Sequence, residues 1–171
     1  MNKYFFTLLS VVIFASCQNK NTLQTVVNDT TQTTTDNSLP NNNAVTIPTI
    51  SAQELQDDSV FTDGSVPTSW ENAGFTDVKG FKLFLKQMQL WVMDNNKQQL
   101  ADAVHYPLKN IKMPEQMVAA YDSVFTKEVK LSFAMLHFNQ ISRNQHGAMI
   151  GDGKVWFRQE GKQFKIVAIN N

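Results

Sequence analysis

The hydrophobic period changes once along this chain, and that change limits the fold more than any other feature. Between Thr76 and Asn139 the large apolar residues recur at helical steps; after Asn139 they collect in short β-prone runs. Helices first and sheet last is the signature of the α+β class, with helices packed on one face of a curved antiparallel sheet.

The first helix is predicted to be capped by Thr76 or Asp77 and to run to about Asn95. Phe81, Phe84, Leu85, Met88, Trp91 and Val92 recur there at three- and four-residue steps and define its apolar face. Gly80 costs it a little helix propensity. A short helix follows over Lys97–Val104, stopped by Tyr106-Pro107, because proline disfavours helix at the residue before it. Pro114 opens a third helix to about Phe125, burying Met117, Val118, Tyr121 and Val124. A fourth, about Lys127–Phe138, turns Val129, Phe133, Leu136 and His137 inward. Ala148–Ile150, Lys154–Arg158 and Phe164–Ile169 read as strands, joined at Gly151-Asp152-Gly153 and Glu160-Gly161-Lys162 into an antiparallel meander. Trp70 to Phe75 is an irregular lead-in whose two aromatic ends tuck onto the core.

The start of the chain is of another kind. Met1–Ser16 has one lysine, an apolar run Tyr4–Ala15 and then Phe14-Ala15-Ser16 before Cys17. This is the pattern of a bacterial lipoprotein signal peptide, with Cys17 taking the lipid. The run is shorter than the ~20 residues a permanent span needs, so the expectation is anchorage, not spanning. Several acyl chains (palmitate among them), at ~0.8 kcal/mol per buried methylene, make that anchorage nearly permanent. Gln18 after the cysteine points to an outer membrane. Residues 17–50 are rich in Thr, Asn and Gln and contain no aromatic residue. Such a segment buries too little apolar surface to offset ordering, so a disordered tether is expected, averaging roughly 30 Å end to end. The division is therefore 1–16 signal peptide, 17–50 lipidated tether and 51–171 folded domain.

Asp29-Thr30-Thr31 and Asp58-Ser59-Val60 resemble the short Asp-Ser/Thr-apolar acceptor pattern of bacterial O-glycosylation, which makes Thr30 and Ser59 candidates. Asp122-Ser123-Val124 has the same form, but Ser123 falls in a predicted helix.

Charge is balanced at 15 Lys+Arg against 15 Asp+Glu, and no basic stripe with interleaved aromatics argues for nucleic acid. Cys17 is the only thiol, so its lipidation leaves none for disulfides or thiol catalysis.

Tyr106-Pro107-Leu108 after the paired helices, Gly147–Phe157 and the closing run Lys165–Asn170 resemble the ketosteroid-isomerase and nuclear-transport-factor-two superfamily. Within it the chain is most similar to small bacterial envelope members of no assigned activity. The resemblance covers roughly Thr76–Asn170 and implies a cone-like α+β domain. It implies a sheet curled around a pocket, and in many members a dimer formed through the sheet. Fold does not choose between the superfamily's enzymes and its binding proteins.

The motifs that could carry chemistry are incomplete. Gly151-Asp152-Gly153-Lys154 lacks the spacing and the following helix of a phosphate loop. Asp94, Asn96, Gln98 and Asp102 lack the glycine and the glutamate of a calcium loop. His105, His137 and His146 have no zinc-site spacing, and no metal or cofactor is expected. His105 reads as a helix-end residue and His146 as exposed. An isomerase-type mechanism needs a carboxylate beside a hydrogen-bond donor such as tyrosine. Asp94, Asp102, Asp122 and Asp152 are available, with Tyr106 and Tyr121, but no spacing forces them together.

Twelve phenylalanines, three tryptophans and seven methionines leave two uses open. They fill a solid core, or Phe84, Met88, Trp91, Tyr121 and Trp156 line a ligand pocket. The expectation is a lipid-anchored cell-envelope protein presenting a non-catalytic domain. Its partner would be a small ligand, another envelope protein, or a second copy through exposed sheet around Trp156 and Phe157. The alternatives are a periplasmic isomerase or dehydratase acting on a hydrophobic substrate, and an inhibitor or immunity protein for an envelope-directed toxin.

Overall fold

The structure, a computed structural model, describes residues 47–171. Its helices are α1 (Ala52–Leu55), α2 (Val78–Met93), α3 (Lys97–Asp102), α4 (Pro114–Ala119), α5 (Tyr121–Val124) and α6 (Lys127–Ala134). The strands β1 (Ser142–Asn144), β2 (Gly147–Ile150), β3 (Val155–Glu160) and β4 (Gln163–Ile169) follow and form one antiparallel sheet in sequence order. The class is α+β, as the change of period predicts. Among the described residues no helix is long and apolar enough to cross a membrane.

α2 is the central helix. Asp77 caps it, accepting from the Gly80 amide at 2.8 Å. Gly80 is no mere weakness there, because a Cβ at that position would collide with the Asp77 carboxylate. Phe81, Leu85 and Met88 on its inner face have no exposed surface. Phe81 packs edge-on to Phe157 of β3 at 5.7 Å between centroids and against Phe75 at 4.4 Å. Trp70 and Phe75 are buried, as expected of the lead-in. Each fully buried large apolar side chain contributes roughly 1.5–3 kcal/mol.

β3 alternates, with Val155 and Phe157 inward and Trp156 half-buried on the other face. β4 breaks the alternation: Ile166 and Ile169, three apart, are both buried. The register shift opposite Trp156/Phe157 explains this, since one extra residue on β4 reverses its phase. The open edge of β4 is covered by backbone. The Ile166 amide donates to the Ala103 carbonyl at 2.9 Å and the His105 amide to the Ile166 carbonyl at 2.8 Å.

Several predicted boundaries shift. The third helix is two, broken at Ala120, whose carbonyl accepts from the Ser123 amide and hydroxyl as well as from the Val124 amide. The fourth stops at Ala134, so the helical phase no longer turns His137 inward, and His137 is exposed. The second ends at Asp102; Val104 belongs to a bridge with Ile166. α1 and β1 lie outside the predicted elements.

Candidate functional site

Large buried side chains occupy the interior between the helices and the sheet. Met88 and Tyr121 have no exposed surface and sit within the core cluster. Phe84 and Trp91 are half-buried beside a shallow groove with Phe164 and Gln99, and Trp156 lies on the far side of the sheet. Phe84, Met88, Trp91, Tyr121 and Trp156 therefore do not line one pocket; Met88 and Tyr121 belong to the packed core, Phe84 and Trp91 pack against its rim, and Trp156 lies on the outer face. The reason is α2 itself, whose inner face is filled by Phe81, Leu85 and Met88 against β3 and β4.

The two tyrosines do not meet a carboxylate inside. The Tyr106 hydroxyl donates to the Ala101 carbonyl at 2.8 Å, and burial, with Asp102 and Glu115 nearby, raises its pKa to about 12. The Tyr121 hydroxyl is buried with no hydrogen-bond partner among the described residues, and burial together with Asp122 pushes it up as well. Asp94, Asp102, Asp122 and Asp152 are all exposed. Asp122 pairs with Lys97 at 2.9 Å at the surface. Among the described residues no three His, Cys, Asp or Glu side chains gather as a metal site.

One buried ionic cluster is present, and the sequence reading missed it. Lys82 has no exposed surface, and its Nζ donates to Asp57 Oδ1 at 2.8 Å and to the carbonyls of Glu54 and Leu55. Asp57 Oδ2 accepts from Trp70 Nε1 at 2.6 Å and from Arg143 at 3.0 Å. The Arg143 guanidinium lies 4.2 Å over the Trp70 ring and donates through Nε to the Thr68 carbonyl. Burial lowers the Arg143 pKa, and Asp57 opposes that shift. The charged groups are satisfied by one another, so the cluster ties α1 and the lead-in onto α2 and β1. Its sequence signal was a lysine in the inward phase of α2, between Phe81 and Leu85.

Chemistry-bearing side chains instead converge on the outer face of the sheet, in a recess of about 410 Å³. Trp156, Arg158 and Glu160 reach it from β3, because alternate β3 residues face away from α2. Val167 and Ala168 reach it from the bulged part of β4, His105 from the segment that covers β4, and His146 from the β1–β2 turn. His105 Nδ1 meets Glu160 Oε1 at 2.7 Å, which replaces the helix-end role expected for His105. Arg158 Nε donates to the His146 carbonyl at 2.9 Å, and its two terminal nitrogens have no protein acceptor among the described residues. The Trp156 indole donates to the Gly153 carbonyl at 3.1 Å, which fixes the ring. Phe157 belongs to the other face and is fully buried, so only Trp156 of that expected pair is offered to a partner. His146 is exposed, as expected.

A fixed aromatic ring beside a guanidinium suits recognition of a flat or anionic group. No side chain in the recess is arranged as an activated nucleophile. Ser59 is exposed, while the Ser123 hydroxyl already donates to the Ala120 carbonyl. The signal peptide, Cys17, Thr30 and the tether as far as residue 46 lie outside the described residues. No protein-family model, curated protein or solved structure matches this chain.

Proposed function

We propose that this is a lipid-anchored cell-envelope protein whose α+β domain recognises a partner without transforming it, through the outer face of its sheet. The observation that carries the reading is the contrast between the two faces. The inner face is filled by aromatic and methionine side chains, while the outer face gathers Trp156, Arg158, His105 and His146 around a recess. The preferred partner is a small ligand or envelope-protein segment bearing an anionic group, held by the terminal nitrogens of Arg158 against the Trp156 ring. Anchorage is supported by the sequence before Cys17, and the Thr/Asn/Gln-rich stretch after it separates the lipid from the domain. The resemblance to the ketosteroid-isomerase superfamily stays with the fold and lends no chemistry, because neither tyrosine has a carboxylate beside it in the core. Cys17→Ala tests the anchor: the protein is expected to leave the membrane fraction. A processed Cys17→Ala chain that stayed membrane-bound would sink this part of the reading.

A further inference from the structure

A second groove, separate from the sheet face, runs between the C-terminal end of α2 and α6, with a volume of about 640 Å³. Val92, Met93, Leu131, Phe133 and Ala134 line it; Phe133 is fully buried beneath, Ala134 is exposed, and the two large side chains open to solvent are Met93 at 72% and Leu131 at 50%. Large apolar side chains left that exposed side by side on two facing helices need an explanation. At the floor, Gln89 Nε2 donates to the Phe133 carbonyl at 2.6 Å, which satisfies that carbonyl.

The charged side chains that line the groove are of one sign, although Lys130 also feels Asp122, which is paired with Lys97 outside the lining. Lys127 and Lys130 both line it, and no carboxylate does. Lys130 Nζ is steadied by Asn95 Oδ1 at 3.0 Å and lies 4.9 Å from the centre of the Tyr121 ring. Glu128, the acidic residue of α6, lines a different groove, on the side of the β2–β3 turn. An apolar trough with two ammonium groups fits an occupant with an apolar body and an anionic head.

Size selects the class of occupant. α6 has 8 residues, a length of about 12 Å. A trough so short cannot supply the ~800 Å² per partner of an ordinary protein interface. Its volume does fall within the roughly 300–1,000 Å³ usual for small-molecule sites. We infer that the α2–α6 groove binds a single-chain anionic amphiphile, its acyl chain along Met93, Leu131 and Ala134 and its head between Lys127 and Lys130.

Dodecanoate, kept below its micelle-forming concentration, is the probe. It is titrated into the full chain carrying Cys17→Ser, which keeps acyl chains off, with methionine methyl groups labelled for NMR. The Met93 methyl is expected to shift saturably, while that of Met113, exposed elsewhere at 48%, stays still. Lys127→Gln with Lys130→Gln should weaken binding about tenfold, the combined effect of two exposed ion pairs. Dodecyltrimethylammonium, with the same tail and the opposite charge, should bind the unaltered groove more weakly, and this comparison needs no variant. Equal response to both amphiphiles, or equal shifts at Met93 and Met113, would mean indifferent apolar contact and overturn the proposal. So would a Met93 shift produced only by phosphatidylglycerol vesicles, which would make the occupant a membrane, or only by raising the protein concentration, which would make it a second copy.

Discussion

Lys82 Nζ sits 2.8 Å from Asp57 Oδ1 with no solvent on the lysine, so a charge on the inward side of the longest described helix is matched by one from the segment before it. The arrangement makes the folded unit begin well before Trp70. Without the stretch from Ser51 to Asp58, Lys82 would lose every acceptor it has.

Asp57→Ala should therefore be among the most damaging changes to stability. It leaves Lys82 and Arg143 without their common carboxylate, and removing one partner of a buried pair costs about 3–5 kcal/mol. Lys82→Met should cost less, because Asp57 keeps Arg143 and the Trp70 indole. Urea unfolding of the two variants checks the order; equal midpoints would show that the cluster does not act as described.

Tyr121→Phe should be tolerated or stabilising. The phenol oxygen is buried and unpartnered among the described residues, whereas the ring stacks on Phe125 at 5.0 Å. Removing only the hydroxyl relieves a desolvation cost of ~1–3 kcal/mol and keeps the packing. A clear drop in Tm would mean the hydroxyl has a partner after all.

Gly151→Ala should destabilise by about 1–3 kcal/mol. Gly151 has φ +60°, and a Cβ there would overlap Ser132 of α6. Ser132→Ala should restore only part of the loss, since the backbone strain and the overlap with the residue 132 Cβ both stay. Full rescue in thermal unfolding would assign the effect to crowding alone.

Acid should loosen the α1 contact. The Lys86 ammonium, then the Ser51 amide and hydroxyl, hold the Glu54 carboxyl at about 2 against an ordinary 4.5. A lowered folded pKa means stability that is complete above the unfolded value and lost as pH falls toward the folded one. The window is thus about pH 4.5 down to about 2. Lys97 lowers Asp122 in the same direction. Glu54→Gln should flatten the fall in unfolding free energy across that window; an unchanged slope would assign the acid sensitivity to other carboxylates.

What the sequence made legible follows from range. α2 was readable because its period and its cap are local, and the β2–β3 and β3–β4 turns because glycines mark them. β1 was not, since Ser142-Arg143-Asn144 has no β-prone residue and is a strand only through its pairing with β2. α1 is a single turn, yet its Ser51/Glu54 capping box was in view as a serine followed three residues later by glutamate. The recess was harder. Trp156 could be singled out, both as pocket lining with Phe84, Met88, Trp91 and Tyr121 and as exposed sheet with Phe157, but the bulge that sorts the two faces of β4 leaves no mark on hydrophobicity. His105 and Glu160 meet only because residues 103–105 run along β4, a contact no local spacing encodes.

The central claim is that recognition belongs to the outer sheet face and not to the interior. A screen of small carboxylate-bearing aromatic fragments against the full chain carrying Cys17→Ser, read by methyl NMR, tests it most directly. The Val167 and Ala168 methyl groups report the recess, and those of Leu85 and Met88 report the core. The account predicts fragments that shift Val167 and Ala168, lose their hold in Arg158→Ala and leave Leu85 and Met88 unmoved. Fragments that instead shift Leu85 and Met88 in a saturable way would place a pocket inside the domain and contradict it.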